Sequence, residues 1–114
     1  MTTASDRYVR AINDQDFSSL EALFHPDVVL HHPIGTYEGL EEVLGFYRDI
    51  VFPMATKLEL RGEVLCAGRV EMFRGVGTPS TGDDDELEPQ HIVDVFELDG
   101  DGRVTSIEVY LRSF

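Results

Sequence analysis

Three polar side chains set among apolar neighbours could do chemistry in this sequence, and they lie far apart along the chain: His32, Asp94 and Tyr8. His32 ends the run Val28-Val29-Leu30-His31-His32, which Pro33 stops and Gly35 releases. Side chains of a strand alternate between faces, so Val28, Leu30 and His32 share one face while Val29 and His31 take the other. Pro33 cannot donate to a sheet ladder, so His32 is held at a strand end, on the rim of an apolar surface. An imidazole, with an unperturbed pKa near ~6.5, is a competent general base at neutral pH, and apolar surroundings keep it neutral. Asp94 sits between Ile92 and Phe96 on the apolar face of another strand, where a carboxylate without a partner is costly. A site role would account for it, and so would an ion pair with Arg74, which the alternation puts on the concave face of a nearby strand. Tyr8 belongs to a helical stripe with Val9 and Ile12 and reads, on spacing alone, as core.

These residues must be positioned by the elements around them. Ser5 and Asp6 are candidate N-caps for a first helix, broken by Asn13-Asp14-Gln15-Asp16. Phe17, Leu20, Leu23 and Phe24 predict a second short helix, and His25-Pro26-Asp27 a sharp stop before the His32 strand. After a short segment, Thr36-Tyr37-Glu38-Gly39, a third helix is expected from about Leu40 to Val51. From there the period becomes two: Leu58, Leu60, Gly62 and Val64 alternate with Glu59, Arg61 and Glu63. Gly68 turns the chain, and a return strand runs over 69–76, with Val70, Met72 and Arg74 opposed to Glu71 and Phe73. Residues 77–86 read as a long exposed loop. Asp83-Asp84-Asp85 within it lacks the spacing of a calcium loop. Strands over 90–97 and 103–111, joined by an Asp-Gly turn, complete the chain, with Ile107, Val109 and Leu111 on one face. Helices followed by a mostly antiparallel sheet make an α+β plan in one domain, 1–114.

Composition excludes several classes. The chain has 22 acidic and 9 basic side chains and a formal net charge of -13, with Lys57 the sole lysine. Such a surface repels nucleic acid and anionic membranes. No apolar run approaches the ~20 residues of a membrane span, and the first residues carry no signal-peptide core. Cys66 is the only cysteine, which excludes an intrachain disulfide and fits a cytoplasmic setting; its strand context predicts a buried, inert thiol. His25 reads as a turn residue, His31 as facing a sheet-packing or subunit surface, and His91 as an outward strand residue. His25, His31 and His32 do not converge and no other ligand pattern supports them, so no metal is expected.

The chain resembles the NTF2-like superfamily, in particular its ketosteroid-isomerase-like or SnoaL-like branch. The resemblance rests on 7–16 (RYVRAINDQD), 23–35 (LFHPDVVLHHPIG), Gly39 through Phe46-Tyr47, and Asp94-Val95-Phe96 followed by Asp99-Gly100-Asp101-Gly102-Arg103-Val104. It implies a cone-shaped fold, a bent sheet wrapped on a helix around one apolar pocket, without cofactor. It also implies proton-transfer chemistry on a small apolar carbonyl compound such as a steroid or polyketide. Carried over, the enzyme's tyrosine falls on Tyr8 and its oxyanion-binding aspartic acid on Asp94. The base falls on His32, where the family has aspartate. If His32 and Asp94 touch, they form an imidazolium–carboxylate pair suited to cyclisation, hydration or dehydration. If they sit on opposite walls, both stay neutral and an isomerase is favoured. The wall is expected from Leu30, Phe46, Tyr47, Met72, Arg74, Ile92, Phe96 and Val109, with Phe24, Met54 and Phe73 as further apolar candidates. A homodimer packed through the outer sheet face is expected. The other readings are a binding protein for a small hydrophobic ligand and a dimerisation module whose cavity is a by-product of the fold.

Overall fold

The computed structural model describes residues 2–80 and 87–113, so the acidic run Asp83-Asp84-Asp85 lies outside the described residues. Helix α1 (Ala4–Asp14) and the short α2 (Phe17–Leu23) lead into β1 (Phe24–His32) and β2 (Gly35–Glu38). Helix α3 (Leu40–Phe46) continues without a break into a π-helical turn, Tyr47–Val51, and a 3-10 turn, Phe52–Met54. The remaining strands are β3 (Lys57–Leu60), β4 (Leu65–Ala67), β5 (Val70–Thr78), β6 (Gln90–Leu98) and β7 (Val104–Ser113). They form one sheet in the order β2-β1-β7-β6-β5-β3, with β4 beside β5. Among the described strands only the β1–β7 pair is parallel.

Helix α1 begins earlier than Ser5 and Asp6 suggest. Thr3 is the N-cap, its hydroxyl accepting from Asp6 N at 3.0 Å while the Asp6 side chain accepts from Thr3 N at 3.3 Å. This reciprocal pairing satisfies two backbone donors. Ser5 instead joins a second anchor. The buried Glu71 of β5 accepts from Ser5 N and Ser5 Oγ, both at 2.9 Å, and from Ala4 N at 3.3 Å. A carboxylate at the positive end of the helix fixes α1 across the sheet, one turn before Tyr8. At the other end of α1, Asn13 clamps the edge strand: its Nδ2 donates to Leu58 O at 2.9 Å and its Oδ1 accepts from Leu58 N at 2.7 Å.

Several expectations change in the sheet. Thr36-Tyr37-Glu38 is a strand, pairing back onto β1. Pro26 does not end the element before β1. The strand already starts at Phe24, and Pro26 falls where its register against β7 shifts, between Phe24 and Val29. The expected strand over 58–64 ends at Leu60 with β3, and 61–64 form a break before β4, with Gly62 at φ 81°, a left-handed conformation suited to glycine. Strand β5 presents the opposite face from the one expected: Glu71 and Phe73 are buried and Arg74 is exposed. Period two alone cannot choose between two mixed faces. Cys66 is exposed, because β4 is a short flanking strand rather than a core one.

Leu20, Phe24, Val28, Leu30, Val43, Phe96, Val104 and Ile107, all fully buried, close the space between the helices and the sheet. No helix among the described residues is long and apolar enough to cross a membrane.

Candidate functional site

Beside this core the sheet and helices leave an apolar cavity of about 500 Å³. Each wall comes from a different element. Strands β6 and β7 pair Asp94 with Val109 and Ile92 with Leu111, and all four side chains line the cavity. Helix α1 brings Tyr8 and Ile12, β1 brings His32, and α3 with its π-helical continuation brings Phe46, Tyr47, Ile50 and Val51. The π-helical turn widens the helix by one residue per turn, which lets Tyr47, Ile50 and Val51 face the same space. Gly77 opens the floor: a Cβ there would run into the Ile92 side chain.

The three separated side chains therefore meet in one cavity, and a fourth joins them. Tyr8 and Tyr47 are hydrogen-bonded through their hydroxyls at 2.9 Å. The pair has two hydroxyl protons and uses one between them, leaving the other free for a ligand. Burial pushes both phenols well above the usual tyrosine range, and the nearby Asp94 charge adds to this. Tyr47 is expected from its apolar stripe only as wall. Its polar role had one sequence signal, a second tyrosine on a helical stripe.

Asp94 is 2 % exposed, and its Oδ1 has no hydrogen-bond partner. Burial pushes its carboxyl up to about 8, because an ion deprived of water and given no counter-charge is disfavoured. The alternative account of Asp94, an ion pair with Arg74, does not hold. Arg74 pairs with Val93 in the ladder, while Phe73 is opposite Asp94, so the guanidinium leaves by the other face.

His32 is half-buried, with its ring 4.9 Å from that of Phe46. Its Nδ1 accepts from Ile34 N at 3.2 Å, across the turn that Pro33 makes. An imidazole nitrogen that accepts carries no proton, so the neutral ring holds its hydrogen on Nε2. Burial also lowers the pKa. Among the described residues no ion pair joins His32 to Asp94. Of the two arrangements that the sequence leaves open, the direct ion pair is not formed, and the two side chains rise from one sheet, on β1 and β6 with β7 between them.

Of the expected wall residues, Phe46, Tyr47, Ile92 and Val109 line the cavity, and four do not. Leu30 and Phe96 are on the right face but wholly buried beneath it, Phe96 with its ring 5.1 Å from Tyr8. Met72 and Arg74 fall on the other face of β5. The mouth is built from Ile34, Met54, Leu87 and Glu88, in connections where period gives no guide. Among the described residues no three His, Cys, Asp or Glu side chains are grouped to hold a metal ion.

Solved structures share this architecture. An NTF2-like protein from Burkholderia pseudomallei is 22% identical, with a TM-score of 0.80 over 94% of this chain and 86% of its own. A Mycobacterium tuberculosis protein in complex with estradiol-17β-hemisuccinate is 16% identical, with a TM-score of 0.82 over 94% of this chain and 89% of its own. An LEH-like epoxide hydrolase from M. tuberculosis is 19% identical, with a TM-score of 0.78 over 95% of this chain and 79% of its own. At these identities the likeness is one of fold. No curated protein sequence matches the chain significantly. The family model of the SnoaL-like domain matches residues 5–107, and with the α+β cone described above the chain belongs to the SnoaL-like family of NTF2-like proteins.

Proposed function

We propose that the chain is a cofactor-free proton-transfer enzyme, of isomerase, cyclase or dehydratase type, acting on a small apolar carbonyl compound. The observation that carries this reading is the unpartnered, fully buried carboxyl of Asp94 opening on a cavity beside a hydrogen-bonded tyrosine pair. A group with a pKa of about 8 exchanges protons readily near neutral pH, where general acid–base catalysis is most effective. Because His32 Nδ1 is engaged by Ile34 N–H, the roles favoured are the reverse of those the sequence suggests. Asp94 takes a proton from the carbon next to the carbonyl and returns it elsewhere on the substrate. His32 Nε2–H and the spare tyrosine hydroxyl donate to the oxygen, where the electron pair accumulates. Stabilising that charge in a dry site is the larger part of such catalysis.

The test is deuterium exchange next to the carbonyl, or conjugation of a β,γ-unsaturated cyclic ketone followed by ultraviolet absorbance. The rate is expected to rise with pH through about 8 and to fall by ~10²–10⁴ in Asp94→Asn. A variant as active as the parent would overturn the reading. A specific observation favours the alternative of a binding protein: a protein of the same fold holds estradiol-17β-hemisuccinate. Saturable steroid binding with no exchange at any pH would establish it.

We place a homodimer contact on the outer sheet face, which carries Val70 and Tyr110, 38% and 55% exposed. Tyr110→Glu is expected to convert dimer to monomer in light scattering, and a parent that is already monomeric would refute it. The lone, exposed Cys66 fits a reducing, cytoplasmic setting.

A further inference from the structure

Among the described residues no lysine or arginine lines the cavity, and its one deeply buried acid has an oxygen without a hydrogen-bond partner. We propose that the cavity takes an amphipathic amine, with the ammonium seated against Asp94 and the apolar body running out to the mouth. This rests on reading the cavity as a ligand site, not on the proton transfer. An unpaired carboxylate in an apolar wall is satisfied best by a group that brings both charge and donors. The rings of Tyr8, Phe46 and Tyr47 line the same space, and aromatic rings attract a cation and repel an anion over their faces. A ligand carboxylate or phosphate would find no counter-charge there.

The route in agrees with the floor. Ile34, Met54 and Leu87 at the mouth are 62%, 37% and 41% exposed, an apolar rim that matches the body of such a ligand. Glu88 stands at the mouth, and a net charge of -13 draws cations toward the protein from a distance.

Binding must be coupled to a proton. The groups facing Asp94 are Tyr8 from α1 and Tyr47 from the π-helical turn, while Phe73 on β5 and Val109 on β7 do not titrate. His32 and Glu88 share the cavity. Of these only His32 could become positive, and burial with the Ile34 hydrogen bond keeps it neutral. Below about pH 8 the neutral carboxyl therefore gives its proton to solvent as the ammonium arrives, and the charges in the complex balance. Affinity rises about tenfold per pH unit up to that point and levels off above it.

The experiment compares amantadine with its alcohol isostere adamantanol by titration calorimetry. At about pH 8.5 the amine is expected to bind at least ~10-fold tighter, with the preference shrinking toward about pH 6. At the lower pH one proton leaves per amine bound, read from the dependence of the heat on buffer ionisation enthalpy. Asp94→Asn is expected to keep the alcohol and lose the preference. Equal affinities at the higher pH, or amine binding without proton release, overturn the inference while leaving the cavity as a ligand site. If neither compound binds, both readings fall. Should the variant not fold, proton release in the unaltered protein decides the matter alone.

Discussion

Asp94→Asn makes a sharp prediction about stability, independent of any substrate. In the unfolded chain this carboxyl titrates at its ordinary value of 3.8, and in the folded protein at about 8. Between those values the unfolded state has lost a proton that the folded state keeps, so folding becomes less favourable as pH rises. The carboxyl costs nothing below the lower value. The penalty then grows by about 1.4 kcal/mol per pH unit, reaches roughly 4 kcal/mol at pH 7, and stops growing above about pH 8. For a domain of this size the whole stability is about 5–15 kcal/mol, so the effect is large.

An asparagine amide does not titrate, so it escapes the penalty. It adds donors that need partners, an offset of about 1–3 kcal/mol, but that offset is the same at every pH. The assay is urea unfolding of both proteins, followed by circular dichroism from about pH 4 to pH 9. All other titrating groups are common to the two and cancel in the difference. The difference curve should climb in favour of Asp94→Asn from the acid end of that range and level off near about pH 8. A flat difference across the range would mean that the folded carboxyl ionises as in water. That result would remove the dry cavity floor, and with it the case for proton transfer at Asp94.

Other substitutions probe the parts around that floor. Glu71→Ala frees the backbone amides of Ala4 and Ser5 and the Ser5 hydroxyl, and is expected to cost about 2–4 kcal/mol in urea unfolding, with Glu71→Gln recovering part of it. A loss below about 0.5 kcal/mol would show that the anchor is idle. The His32 ring should appear in nitrogen-15 correlation spectra as the Nε2–H tautomer, with a midpoint below 6.5; an Nδ1–H ring would return the role of base to His32. Gly77→Ala should push Ile92 into the cavity and weaken adamantanol binding by ~10-fold, with little effect on the fold; unchanged affinity would mean that ligands do not reach the floor.

The sequence reveals the site unevenly, for reasons that differ from residue to residue. His32 and Asp94 were legible because each interrupts an apolar face of clear period two, and β6 and β7 keep that period through to Val109 and Leu111. Arg74 and Met72 were misplaced because β5 alternates two mixed sets, and the inward one contains Glu71, whose burial makes sense only once the N-terminus of α1 is seen above it. Cys66 looked internal because its neighbours are apolar, yet a three-residue strand beside β5 leaves it exposed. The π-helical turn could not be read at all. Its residues keep a helical stripe, and only packing decides that one extra residue enters the turn and swings Tyr47 onto Tyr8.

What distinguishes Asp94 from the rest of the floor is the sign of its contribution. Glu71 is also buried, but three donors meet it and it holds an element in place. Asp94 lies between Ile92 and Phe96, where an aliphatic side chain would satisfy the strand at no electrostatic cost, and none of the described cations approaches it. A buried carboxyl with an unpartnered oxygen, which ties no two elements together, is not explained by folding. The opposite case is Tyr8, which earns its place structurally through ring contacts with Phe73 and Phe96 and would be kept as a phenylalanine if packing were its only task. Its hydroxyl is spent on Tyr47 instead. Two phenols and a carboxyl, none of which an apolar core requires, converge on one hollow, as the proposed ligand site demands.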